Sequence, residues 1–178
     1  MNQKANQKKS IILIGMPGSG KSTVGVLLAK ALCMQFLDTD IVIQRRANMK
    51  LQQIINDYGI EAFEKKEEAA LLSLPQRGQV IATGGSAVFY PAAMAHLKTL
   101  GTVIYIKISV EKLKKRIWNP KTRGIVFKPG QDFEGLYEER RPLYEKYADI
   151  SVESDESSAD DMIERVLKVL KNEHIIHE

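Results

Sequence analysis

The sequence predicts an α/β fold in which a five-stranded parallel sheet is flanked by helices. Three observations carry that expectation. Short apolar runs of strand length recur along the chain, helix-period segments lie between them, and glycine-containing turns follow several of the runs. Strands separated by helices require crossover connections, which are right-handed and make the strands parallel. A length of 178 residues suits one domain, here drawn as 11–172, with one substantial core.

The elements follow in order. Residues 1–10 (MNQKANQKKS) are polar, lack periodicity and read as a loose tail. Ile11 to Ile14 is a β-branched and leucine run ending at Gly15, the pattern of a strand buried on both faces. From Lys21 to Leu32 the apolar positions Val24, Leu27, Leu28, Ala31 and Leu32 keep helical spacing. Phe36 and Leu37 form a second strand that stops at Asp38. Leu51 to Tyr58 reads as a short helix broken at Gly59. Phe63, Glu67, Ala70, Leu71 and Leu74 mark one face of the next, ended by Pro75.

Val80 to Ala82 is a strand running into Gly84 and Gly85, and Val103 to Ile108 is another. Ser109 is a suitable N-cap for a helix carrying Val110, Leu113 and Ile117. Asp149 to Val152 supplies the fifth strand and Met162 to Leu170 a closing helix, with 173–178 as a C-terminal tail. Residues 119–131 (NPKTRGIVFKPGQ) stand apart, with two prolines, two glycines and the basic Lys121, Arg123 and Lys128. This segment reads either as a loop over an anionic ligand or as a variable surface insertion.

Composition narrows the function. The net charge is +4, from 26 basic and 22 acidic residues spread over several segments, which suits a small anionic ligand better than nucleic acid. The single cysteine, Cys33, excludes an internal disulfide and a cysteine-based zinc cluster. His96, His174 and His177 are scattered, which disfavours a metal held by protein ligands alone. The apolar run near the start is too short for a signal peptide or a membrane span, so a cytoplasmic protein with no membrane partner is expected.

Four features carry chemistry. GMPGSGKS over residues 15–22 matches G-x-x-x-x-G-K-[ST], in which glycines turn backbone N–H groups around phosphate oxygens at a helix N-terminus. Gly15, Gly18, Ser19, Gly20 and Thr23 belong to this loop; Lys21 reaches the β- and γ-phosphates and the Ser22 hydroxyl ligates Mg²⁺, so the chain binds a nucleoside triphosphate. LDTD over 37–40 ends the second strand at the sheet edge where ligands bind. Its two carboxylates either divide between Mg²⁺ and an acceptor hydroxyl or form an Asx turn that caps a helix from Ile41. TGGS over 83–86 either offers backbone N–H groups to an oxyanion or makes a plain strand-to-helix turn. RRPLY over 140–144, in a helix that Pro142 should kink, either clamps an anionic group through its arginines or is a solvated basic turn paired with Glu138 and Glu139.

These features in this order resemble the shikimate kinase family of small P-loop kinases, from about Ile11 to about Leu170. GMPGSGKST resembles the family's Walker A segment, LDTD its paired aspartates, IATGGSAV its Walker B glycine stretch, and RRPLY followed by YAD its substrate-arginine motif. The resemblance implies a three-layer P-loop kinase fold with a substrate-binding region over about 40–75 and a lid over about 118–131. It implies a monomer using ATP and Mg²⁺ to phosphorylate a hydroxyl of shikimate, a step toward aromatic amino acids. Lys21 and Ser22 would serve ATP and Mg²⁺, Asp38 would lie near the metal, and Asp40 would contact the acceptor hydroxyls and act as base. Gly84 and Gly85 would line the substrate pocket, Arg116 would pack against adenine, Arg123 would approach the γ-phosphate from the lid, and Arg140 would bind the substrate carboxylate.

The chain departs from the family pattern at named positions. The family's second carboxylate-binding arginine follows the phenylalanine, but Phe63 is followed here by Glu64, and Lys65 is the nearest replacement. Gly124 stands where a proline usually follows the lid arginine, Ser86 ends the glycine stretch, and Cys33 occupies a helix-ending glycine position, where it is read as packing. Glu64 also leaves open a kinase of the same architecture acting on another small polyol or hydroxy acid. A non-catalytic ATP-binding regulator is the reading from another class.

Overall fold

The computed structural model describes residues 9–117, 125–128, 130–154 and 158–176. The first half runs β1 (Ser10–Ile14), α1 (Lys21–Ala31), β2 (Gln35–Asp38), α2 (Thr39–Ala47), α3 (Leu51–Tyr58) and α4 (Ile60–Leu72). The second half runs β3 (Gln79–Ala82), a 3₁₀ turn (Ala87–Phe89), α5 (Pro91–Leu100), β4 (Gly101–Lys107), α6 (Val110–Arg116), α7 (Phe133–Tyr147), β5 (Ile150–Glu153) and α8 (Ala159–Asn172). The five strands form one parallel sheet in the order β2-β3-β1-β4-β5.

β1 is central and buried along its whole length, which explains its unbroken apolar run. Its side chains alternate between two cores. Ile12 and Ile14 join the cluster built with α5, α7 and Leu71 of α4; Ile11 and Leu13 join the one built with α1 and α8. A third, smaller cluster of Ile43, Ile54, Phe63 and Ala70 belongs to α2–α4. Parallel register aligns Leu13 with Ala82 and Asp38 with Ala82, so the turns after β1, β2 and β3 leave the same edge of the sheet.

Several boundaries differ from the sequence reading. Ser10 belongs to β1, where its hydroxyl donates to the Arg77 carbonyl at 2.7 Å, so the strand starts one residue inside the expected tail. α1 buries Val24, Gly25, Leu28 and Ala29; of the expected stripe, Leu27 is half-buried, Leu32 packs against the α1–α8 cluster and Ala31 is exposed. The buried face brings small residues against the sheet: a Cβ on Gly25 would stand 2.5 Å from Phe36 Cε2. α2 starts at Thr39, and α7 continues through Pro142 without interruption.

α5 and the 3₁₀ turn before it are additions to the sequence reading. Pro91 opens α5 at the position where its missing N–H costs nothing, and Ala93, Leu97 and Leu100 bury its core face. Cys33 corrects the packing assignment. It is exposed and holds φ 52°, the left-handed conformation a glycine would take after a helix. At the other end of the chain, Ile175 and Ile176 of the expected tail pack onto the α1–α8 cluster.

Candidate active site

The loop after β1 and the N-terminus of α1 are shaped by positive-φ glycines: Gly15 at 143°, Gly18 at 81° and Gly20 at 99°. At Gly18 the requirement is double, because a Cβ there would also stand 2.7 Å from Ile117. Lys21 is buried, and its ammonium donates to the carbonyls of Gly15 (2.7 Å) and Met16 (2.8 Å). That posture holds the cation over the loop, where it meets a phosphate chain. Ser19 contributes a buried hydroxyl with no partner among the described residues, and Thr23 lies exposed in the first turn of α1 beside the same cavity.

Asp38 does two jobs at the end of β2. One carboxylate oxygen accepts from the Asp40 N–H at 3.0 Å and caps α2, and the other accepts from the Ser22 hydroxyl at 2.7 Å. The capping and metal alternatives drawn from the sequence are therefore both compatible with its geometry. Ser22 Oγ and Asp38 Oδ2 form a paired oxygen donor set of the kind Mg²⁺ takes beside phosphates.

Asp40 lies two residues on, with its carboxyl pushed up to about 7 by burial, by Asp38 and by Glu67, against the pull of Lys21. It sits against Gly84, where a Cβ would approach Asp40 Oδ1 at 3.3 Å and overlap Glu67 Oε1. Only glycine fits between these carboxylates. The Gly84 N–H donates to Thr39 Oγ1 at 3.1 Å, so of the two expected backbone donors this one is already engaged.

Arg140 arrives from α7 and is 4% exposed. Its guanidinium stacks over Phe89 at 5.3 Å, its Nη1 approaches Gly85, and its Nε has no partner among the described residues. The Tyr144 hydroxyl, one turn along, donates to the Gly85 carbonyl at 2.5 Å. Arg116 lies at the end of α6, where Nη1 donates to Ser154 Oγ at 3.3 Å.

Lys21, Ser22, Asp40, Gly84, Gly85, Arg116 and Arg140 line one cavity of about 820 Å³, while Asp38 and Tyr144 lie outside its lining. Gly18, Lys21, Arg116, Ser154 and Met162 line one stretch of it; Asp40, Glu64, Glu67, Gly85 and Arg140 line another. Lys65 is exposed and outside the lining, because Glu64 and Glu67, three residues apart on α4, share the cavity face and Lys65 is turned about 100° away from Glu64. Arg123 and Gly124 lie outside the described residues, as does most of the expected lid. Its later part is described: Val126 packs on the α2–α4 cluster, and Lys128 pairs with Glu139 beside Arg140.

Glu67 and its donors were not assigned from sequence. The carboxylate is 1% exposed, with Oε2 accepting from Ser86 Oγ at 2.5 Å and from Tyr90 Oη at 2.8 Å. Burial raises its pKa above the usual carboxylate range, against those two hydrogen bonds and Arg140. The signal was present: one glutamate interrupts the otherwise apolar series of α4.

The family model described as shikimate kinase matches residues 17–171. The chain is 40% identical over 172 residues to the shikimate kinase of Pasteurella multocida, covering 94% of this chain and 98% of that protein. Among solved structures, shikimate kinase from Acinetobacter baumannii in complex with shikimate superposes with a TM-score of 0.85 at 32% identity, over 93% of this chain and 94% of that one. The shikimate kinase of Aquifex aeolicus gives 0.80 at 35% identity, over 93% and 98%. A phosphate-binding loop facing paired aspartates and a buried arginine, on a sheet that superposes this closely, makes the chain a member of the shikimate kinase family.

Proposed function

We propose that the chain is a kinase transferring the γ-phosphoryl group of ATP to a hydroxyl of shikimate. The observation that carries this reading is the convergence of Lys21, on the phosphate-binding loop, and Asp40, beside Gly84, on one cavity that also holds Arg140. Phosphoryl transfer needs little covalent help from the protein. It needs the two substrates in line, charge stabilised on the moving group, and water kept out.

In this reading Lys21 and the N-terminus of α1 hold the phosphate chain, and Arg116 flanks the base. Asp40 accepts the proton of the attacking hydroxyl, and Arg140 binds the acceptor carboxylate through its spare donor capacity. Ser22 and Asp38 would hold Mg²⁺, which neutralises phosphate charge when bound. Arg123 would add a cation from the lid, and Gly85 gives the acceptor close approach to the backbone. The enzyme would act as a cytoplasmic monomer on small molecules, without nucleic acid or membrane partners.

The test is ADP release from Mg·ATP with and without shikimate, beside a panel of polyols and hydroxy acids. Stimulation by shikimate at sub-millimolar concentration, lost in Asp40→Asn, supports the reading. ATP binding with no acceptor-dependent turnover would instead favour a regulator.

A further inference from the structure

Phe89 is a large apolar side chain left 36% exposed, and it lines the cavity beside Arg140. The Arg140 guanidinium lies over its ring, with the guanidinium carbon 5.3 Å from the ring centroid. A cation at that distance is attracted by the negative face of the ring, the more strongly where water is excluded. Arg140 itself is 4% exposed. Its other sides are occupied too: Nη1 stands at Gly85, the Tyr144 hydroxyl meets it within α7, and Glu67 acts on it electrostatically from α4. Its Nε has no partner among the described residues and is open to an acceptor.

The ring under the arginine is held in its turn. Ser86 Oγ and Tyr90 Oη both donate to Glu67 Oε2, at 2.5 and 2.8 Å. One buried carboxylate therefore pins both ends of the 3₁₀ turn Ala87–Phe89, with Phe89 between them. The backbone closes the same turn, the Phe89 N–H donating to the Ser86 carbonyl at 2.9 Å and the Tyr90 N–H to that of Ala87 at 3.2 Å. A ring fixed in this way limits the tilt and reach of the guanidinium resting on it. Arg140 is the only arginine among the described residues on the acceptor stretch of the cavity, where Glu64 faces inward and Lys65 is turned away. A single arginine grips a carboxylate with two parallel hydrogen bonds only while its plane is held.

We infer that Phe89 is a positioning residue for the acceptor: its ring, pinned by Glu67 through Ser86 and Tyr90, holds Arg140 in the orientation that receives the acceptor carboxylate. Phe89 acts through Arg140 and not on the reacting atoms. The inference rests on the phosphoryl-transfer reading of this site and deepens it by naming what orients the carboxylate.

The full chain, Phe89→Leu and Phe89→Tyr are assayed for ADP release from Mg·ATP with shikimate and with its methyl ester. The ester keeps the hydroxyls and has no charged carboxylate. Phe89→Leu removes the π face at a partly exposed position and should raise the KM for shikimate about three- to tenfold. Its kcat and its KM for ATP stay near their original values, as loss of uniform acceptor binding requires. Phe89→Tyr keeps the π face and the original KM. The KM for the ester is the same in all three proteins, because it offers Arg140 no carboxylate. A ring-trifluorinated phenylalanine introduced at position 89 preserves the volume and weakens the negative face, so it should reproduce the effect of Phe89→Leu. Should Phe89→Leu melt early, the comparison is read from that variant. An unchanged KM for shikimate, or a rise shared by the ester or by ATP, overturns the inference and leaves the kinase reading standing. A wild-type chain that turns over no acceptor removes both.

Discussion

The Tyr144 hydroxyl donates to the Gly85 carbonyl at 2.5 Å, tying the helix that carries Arg140 to the glycine turn that carries Gly84. Tyr144 is itself fully buried and stacks on Tyr105 with ring centroids 5.0 Å apart. Two walls of the acceptor cavity are thereby tied to one another by a short polar contact beside Met16 and Arg140.

Removing that hydroxyl in Tyr144→Phe leaves the ring stack in place and unpairs a half-buried carbonyl, at a cost of about 1 kcal/mol in stability. The KM for the acceptor should rise several-fold while the KM for ATP stays near its original value. Steady-state kinetics against both substrates, with a thermal melt, checks this. An equal change in both KM values would count against a local role.

Asp38 can be dissected because its two oxygens do different work. Asp38→Asn keeps an acceptor for the Asp40 N–H, so the α2 cap survives, whereas Asp38→Ala loses about 1 kcal/mol of it. Both variants lose the carboxylate beside Ser22, and the Mg²⁺ concentration for half-maximal activity should rise about tenfold or more. Magnesium titrations and urea unfolding separate the two effects.

Cys33 is strained where glycine is at ease. It holds φ 52° on the surface, with its N–H donating to the Lys30 carbonyl at 3.3 Å. Cys33→Gly should stabilise the protein by about 0.5–1 kcal/mol, read as a rise in melting temperature with unchanged kcat.

The nucleotide-free protein should lose stability as pH rises toward neutrality through Asp40. Its carboxyl titrates near 3.8 in the unfolded chain and at about 7 in the fold, because burial, Asp38 and Glu67 disfavour its charge. The folded state therefore keeps a proton that the unfolded state has released. This contribution to stability is complete below the unfolded value and lost as pH rises through about 7. Glu67, also raised by burial, acts in the same direction. Asp40→Asn should flatten the decline and raise the melting temperature by a few degrees at about pH 8, while abolishing turnover. A parallel pH dependence in wild type and variant would refute the assignment.

The sheet could be read from the chain because β1, β3 and β4 are apolar runs bounded by glycines, and Lys21, Ser22 and Asp40 because their spacings bind them to strand ends. What escaped depends on contacts that no local pattern encodes. Tyr90 and Ser86 matter because Glu67, about twenty residues earlier, turns its carboxylate toward them. Tyr144 matters because Gly85, 59 residues away in sequence, lies under its hydroxyl. Lys65 lost its assigned place to a rotation of α4, which the position of Phe63 in the small core fixes. α5 hides in an alanine-rich segment whose helical stripe reads weakly between two strong strands.

The small cluster of Ile43, Ile54, Phe63 and Ala70 lets α2–α4 keep a core of their own. Substitution at the exposed Glu64 can therefore change the cavity face of α4 without disturbing the sheet that holds the phosphate-binding loop. A lineage built this way is free to exchange acceptors while inheriting its ATP machinery intact. The glutamate at position 64 is the mark such drift would leave, and the nucleotide half of the molecule would bear no trace of it.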